Sequence, residues 1–112
     1  MKQSNIQLSI FLDEKNIPTK IEWEATDNNS KKQIAKAMMI ALWDEQQRNG
    51  ISIDLWTKEM TIEEMNIFFY QTLMTMSDTF ERSTQNKNAA NELKIFAKKF
   101  FDEVQKTNVP MW

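Results

Sequence analysis

Two short runs in which apolar and polar residues alternate constrain this chain more than anything else in it. In "IQLSIFL", residues 6–12, Ile6, Leu8, Ile10 and Leu12 share one face and Gln7, Ser9 and Phe11 the other. In "TKIEWEA", residues 19–25, Ile21, Trp23 and Ala25 alternate with Lys20, Glu22 and Glu24. Successive side chains of a strand point to opposite faces, so period two reads as a half-buried strand. Between the runs "DEKNIP" supplies a turn, with Pro18 fixing its own φ and pushing Ile17 extended. Two such strands across a short polar loop predict a β-hairpin.

Downstream the period changes. Ser30 with Gln33 has the spacing of a capping box, which predicts a helix from Ser30 to about Asn49. At about 100° per residue, Ile34, Ala37, Met38, Ala41 and Leu42 fall on one core-facing arc of it. Gly50 is then free to close the helix in the left-handed conformation. "ISIDLW", residues 51–56, reads as a third strand with Ile51, Ile53 and Leu55 inward and Ser52, Asp54 and Trp56 outward. Thr61 with Glu64 forms a second capping box and opens the longest helix, to about Arg82. Its apolar arc holds Ile62, Met65, Phe69, Leu73, Met76 and Phe80. A last helix, from about Ala89 to Lys106, carries Leu93, Phe96, Ala97, Phe100, Phe101 and Val104 on one side.

The expected order is therefore β-β-α-β-α-α. A sheet with one apolar face must be covered, which predicts a two-layer α+β fold with a three-stranded sheet under three helices. Right-handed crossover through the first helix places strand three parallel to strand two. One domain, 1–112, is expected, with an ordered core of about 5–106 and a loose C-terminal tail ending in Trp112.

Composition removes most chemistry. With no histidine and no cysteine among 112 residues, Ser-His-Asp and Cys-His machinery, disulfides, thiol nucleophiles and the usual zinc sites are excluded. One glycine cannot build a P-loop or a dinucleotide fingerprint. A formal charge of −2 argues against nucleic acid, whose binding needs clustered Lys and Arg. Lys31, Lys32 and Lys36, like Lys94, Lys98 and Lys99, read as solvated helix faces. "MKQSNIQLSIFLDEK" lacks the continuous apolar stretch of a signal peptide, and "AMMIALW" is too short to span a bilayer. The expectation is a soluble, cytoplasmic protein that does not span a membrane.

The stretch "ISIDLWTKEMTIEEM" concentrates Asp54, Glu59, Glu63 and Glu64 around Trp56. Glu63 and Glu64 fall in the first turn of a helix, where the macrodipole favours negative charge, and Glu59 just precedes it. Asp54 lies on a polar strand face. A general acid needs burial or a like-charged neighbour to raise its pKa, and a calcium loop needs alternating ligands with a central glycine; this stretch has neither. The acids read as structural, with no catalytic, metal or cofactor site.

Trp56 is out of phase with its strand's apolar residues and emerges on the outer face or the strand's end. Met39 and Trp43 lie outside the first helix's core arc, as does Ile40. Ile67, Tyr70 and Met74 form a second stripe on the long helix. Burying each large apolar side chain is worth about 1.5–3 kcal/mol, so leaving several in water forfeits much of a domain's net stability. Trp56 folded over its own loop and the last helix lying over the Ile67 stripe are the self-contained explanations. The other is a contact surface of Met39, Trp43, Trp56, Ile67, Tyr70 and Met74 for another protein or for a second copy, giving a homodimer. Unprotected sheet edges push the same way.

"FLDEKNIPTKIEWEATD", "KAMMIALWDEQQRNG" and above all "IDLWTKEMTIEEMNIFFYQTLMTMSDTFERST" resemble the gliding motility-associated GldC family of Bacteroidetes, from about Ser4 to Val104. The resemblance implies a non-enzymatic cytoplasmic accessory protein of the gliding machinery, with protein partners in that apparatus and no cofactor. It carries no catalytic motif onto this sequence. Family members often have histidine where this chain has Tyr70, so a titrating role there does not transfer. A competing class is a small-molecule or lipid-binding module, with an apolar pocket between sheet and helices near Trp23.

Overall fold

A computed structural model of the chain describes residues 1–29 and 31–106. In chain order its elements are β1 (Ile6–Leu12), β2 (Pro18–Ala25), a 3-10 turn (Thr26–Asn28), β3 (Gln33–Ala35), β4 (Ala37–Trp43), β5 (Gly50–Trp56), α1 (Ile62–Thr84) and α2 (Lys87–Lys106). They form two compact units, Met1–Met60 and Thr61–Trp112. The fold class is α+β, but the described residues form five strands in two small sheets and two helices, not three strands and three helices.

The first unit is all β. β1 and β2 pair antiparallel with Leu8 opposite Trp23 and Ile10 opposite Ile21, which puts Ile6, Leu8, Ile10, Ile21, Trp23 and Ala25 on one face; Ile21 is fully buried. Their turn is built by Asp13, whose Oδ1 accepts the backbone N–H of Lys15 (2.8 Å) and Ile17 (3.0 Å) while Asn16 adopts φ 63°. Such side-chain mimicry of a backbone turn is what Asp is selected for at these positions. The Ile17 bond does most to hold the Asp13 carboxyl below its ordinary pKa. The Lys15 bond adds to this, desolvation opposes it, and the Lys58 ammonium at 3.6 Å contributes less still in the lowering direction. β3 continues the sheet antiparallel to β2, with Ala35 opposite Ile21.

Lys36 separates β3 from β4 as a bend. Its carbonyl accepts both the N–H (2.8 Å) and the Oγ1 hydroxyl (3.2 Å) of Thr57, a residue 2% exposed. Those two bonds fasten the end of β5 to the bend. β4 and β5 form an antiparallel hairpin with Met38 opposite Leu55, Ile40 opposite Ile53 and Leu42 opposite Ile51.

This hairpin replaces the expected helix over residues 30–49, and the third strand accordingly runs antiparallel to β4 instead of parallel to β2. The reason lies in "AMMIALW", whose seven apolar residues satisfy both periods at once. Ala, Met and Leu are strong helix formers, but β5 supplies an apolar partner for Met38, Ile40 and Leu42, and cross-strand pairing overrides propensity. Gln33 of the expected capping box is in β3, and Ser30 lies outside the described residues. Gly50 opens β5 without a positive φ; Arg48 (φ 55°) takes the left-handed conformation instead. The connecting residues close through Asp44, whose Oδ2 accepts Gln47 N–H at 2.6 Å and whose N–H donates to the Asn49 carbonyl at 2.9 Å.

The second unit is a helical hairpin. The Thr61 hydroxyl accepts the Glu64 N–H (3.0 Å) and Glu64 Oε1 accepts the Thr61 N–H (3.0 Å), so the predicted capping box starts α1. Gln85 at φ 64° ends it, and Asn86 Oδ1 accepts the Ala89 N–H (3.0 Å) at the start of α2. The helices meet through small residues. Ser77 and Ala97 are fully buried, Ala90 nearly so, and the Ser77 hydroxyl donates to the Ala90 carbonyl at 2.6 Å. Tyr70 stacks on Phe101 with ring centroids 4.7 Å apart, and Lys94 reaches Asp78 at 3.1 Å. The tail that ends in Trp112 lies outside the described residues.

Candidate interaction surface

The acidic stretch does not assemble into a site. Asp54 is an exposed residue of β5, facing Met39 across the strand pair. Glu64 is committed to Thr61 through its cap, and Glu63 lies exposed in the same helical turn. Among the described residues, no three His, Cys, Asp or Glu side chains come close enough together to hold a metal ion. A depression beside Gln7, Ser9, Glu22, Trp23, Glu24 and Lys32 has a volume of about 40 Å³ and largely polar walls. That is space for about one water, against the 300–1000 Å³ of a typical small-molecule site.

The six candidate contact residues separate into two groups. Met39, Trp43 and Trp56 share one face of the β4–β5 hairpin, Trp43 at one end and Trp56 at the other, because Met39 stands opposite Asp54, Trp43 opposite Gly50 and Trp56 opposite Ala37. Trp43 is 69% exposed and Trp56 60%. Met39 and Trp43 belong to a strand and not to a helix flank, so their placement differs from the expected one while their exposure does not. No neighbouring side chain shields either indole over more than about half its surface.

On α1, Tyr70 and Met74 are half-buried, and Ile67 is exposed. The Tyr70–Phe101 stack and the Ser77 and Asp78 contacts put α2 against this side of α1. The chain's own last helix therefore accounts for Tyr70. The adjoining arc, expected to be core, leaves Ile62, Phe69, Met76 and Phe80 exposed, although Phe69 still reaches Phe100 of α2 at 6.3 Å by ring centroid, with Phe96 6.4 Å from the same ring.

The hairpin's other face was missing from the candidates. Leu42, Ile51 and Ile53 are 59%, 47% and 49% exposed there. In a single strand their alternation is indistinguishable from that of core residues, so only the pairing of β4 with β5 reveals an apolar strip on this face.

Among the described residues, no helix is long and apolar enough to cross a membrane. Comparison with curated proteins returns no match, and neither does comparison with solved structures. The family comparison is positive: residues 18–106, from β2 through α2, match the model of the gliding motility-associated protein GldC-like family, and the chain belongs to that family.

Proposed function

We infer that this chain is a non-enzymatic, cytoplasmic accessory protein of the gliding machinery that works by holding other proteins, with the β4–β5 hairpin as its principal contact surface. Membership of a family associated with gliding motility supports the setting, and that family is not a known enzyme family. The observation that carries the mode of action is the pair of tryptophans at the hairpin's ends, 69% and 60% exposed beside Met39. Tryptophan is among the residues most enriched in interface hot spots, and two of them left largely in water on a strand pair suit a contact surface. The hairpin positions them without loops, so a partner meets a preformed surface. Partners are proteins of the gliding apparatus and a second copy of the chain.

The test is capture of the tagged protein from its native cells after mild crosslinking, with the bound proteins identified by mass spectrometry. A parallel capture uses Trp43→Ser/Trp56→Ser, whose circular dichroism must match the parent. Motility components recovered by the parent and lost by the variant are the expected result. Equal recovery by both would remove the hairpin as the contact surface; recovery of no motility component by either would overturn the accessory reading.

A further inference from the structure

We propose that β5 is a self-pairing edge: two copies of the chain join β5 to β5 antiparallel about a two-fold axis through Ile53, making a continuous four-stranded β4–β5–β5–β4 sheet. The proposal rests on the reading of this hairpin as a contact surface and names its occupant.

The backbone sets the possibilities. Asp44 N–H bonds to the Asn49 carbonyl and Thr57 N–H to the Lys36 carbonyl, at the two ends of the hairpin. Hydrogen-bonded and non-hydrogen-bonded pairs alternate along an antiparallel ladder, so Ile51, Ile53 and Leu55 turn their N–H and C=O groups toward β4. Gly50, Ser52, Asp54 and Trp56 turn theirs outward, and among the described residues β4 is the one strand paired with β5. Natural edges are usually blunted by charged side chains, especially Lys, by Pro or by a bulge, and β5 carries a single charge, Asp54. β5 has no Lys, Pro or bulge along Gly50–Trp56, whereas β1, at the edge of the other sheet, has a register break between Phe11 and Leu12.

Charge then selects the register. An axis through Asp54 would set the carboxylate directly against the partner's Asp54, and like charges directly opposite are destabilising. An axis through Ser52 leaves Trp56 beyond the partner's strand. The axis through Ile53 engages all of Gly50–Trp56. Ser52 then exchanges two backbone hydrogen bonds with the partner's Asp54, Ile51 meets the partner's Leu55, and Ile53 meets the partner's Ile53. Gly50 meets the partner's Trp56. A Cβ built on Gly50 would touch nothing within 4 Å, so the indole has open space to lie in. Aromatic cover of a strand glycine from the neighbouring strand is a known stabilising arrangement.

Of the exposed apolar side chains, Ile51, Ile53 and Trp56 belong to β5 and meet the partner strand in this register, Trp56 over the partner's Gly50. Leu42 and Trp43 lie on β4, one strand farther from the partner.

The chain has no cysteine, so a single introduced thiol reports on register without background. Ile53 facing the partner's Ile53 is a non-hydrogen-bonded pair with Cα atoms about 4.5 Å apart, within disulfide range. The experiment is sedimentation of the full wild-type chain at roughly 5–100 μM, which brackets micromolar dissociation constants, followed by mild oxidation of Ile53→Cys. The companion is an equal mixture of Ser52→Cys and Asp54→Cys, exposed positions that leave folding intact. Expected are a wild-type dimer, near-complete crosslinking of Ile53→Cys, and heterodimer formation in the mixture several-fold above either variant alone. A wild-type dimer with neither crosslink would overturn β5 pairing while leaving the contact-surface reading standing. A wild-type monomer throughout would overturn the proposal outright, and the cellular capture would still decide the accessory role.

Discussion

Ser77 offers the sharpest test of how the helical unit is held. It is fully buried, and its hydroxyl donates at 2.6 Å to the carbonyl of Ala90, which is itself nearly buried. That carbonyl lies inside α2, where the i→i−4 ladder already assigns it the Lys94 N–H; the hydroxyl uses its second lone pair. Ser77→Ala therefore removes a donor without orphaning its acceptor, and the cost is the net worth of one hydrogen bond, about 1 kcal/mol. Ser77→Val loses the same bond and also pushes an extra carbon into a seam lined by Ala90 and Ala97. Overpacking adds about 1–3 kcal/mol, so Val is the worse substitution by that margin. Urea denaturation followed at 222 nm isolates the helices. With a slope of about 2 kcal/mol/M, Ser77→Ala lowers the midpoint by roughly 0.5 M and Ser77→Val by roughly 1–2 M. A valine variant as stable as the alanine variant would show that the helices do not meet at Ser77, and would refute the packing described.

Arg48 holds φ 55° in the β4–β5 connection, so Arg48→Val, with a branched Cβ in the left-handed region, costs about 1–2 kcal/mol and Arg48→Gly costs nothing or stabilises slightly. A helix running to residue 49 reverses that order, so thermal melts of the two variants discriminate hairpin from helix. Asp13 has its carboxyl pKa lowered in the folded chain by the Ile17 and Lys15 N–H groups and by Lys58, so it contributes stability above its unfolded pKa of about 3.9. That contribution is lost as pH falls through the lower folded value. Asp13→Asn keeps an oxygen acceptor but no charge, and its stability deficit relative to the parent shrinks below about pH 4; a deficit that stays constant down to pH 2 contradicts the assignment.

The sequence was legible where one period stood alone. Ile6–Leu12 and Pro18–Ala25 alternate cleanly and pair in the expected facing, with Pro18 at the start of its strand. Thr61 and Glu64 mark a helix start by a local hydrogen-bond exchange that needs no tertiary context. Residues 37–43 were illegible for a physical reason. Every residue there is apolar, so neither period is disfavoured, and the deciding contribution is a partner strand that begins seven residues later. The same gap governs the surface. Met39 and Trp43 are surplus on the expected helix and exposed on the strand, but only the β4–β5 register puts them on the same face as Trp56. Leu42, Ile51 and Ile53 look like core in one dimension. The bend at Lys36, held by Thr57, leaves no signature in spacing at all.

Residue-resolved amide hydrogen exchange across β5 tests the central claim most directly, because the strand's two edges are read by alternate residues. Pairing with β4 alone protects Ile51, Ile53 and Leu55 and leaves Ser52 and Asp54 open to solvent. A second copy on the free edge must protect Ser52 and Asp54 as well, and that protection must grow with protein concentration. Slow exchange at all five positions, concentration-dependent at the two outward ones, is the predicted result. Fast exchange of Ser52 and Asp54 at every concentration, beside slow Ile51, Ile53 and Leu55, would contradict it.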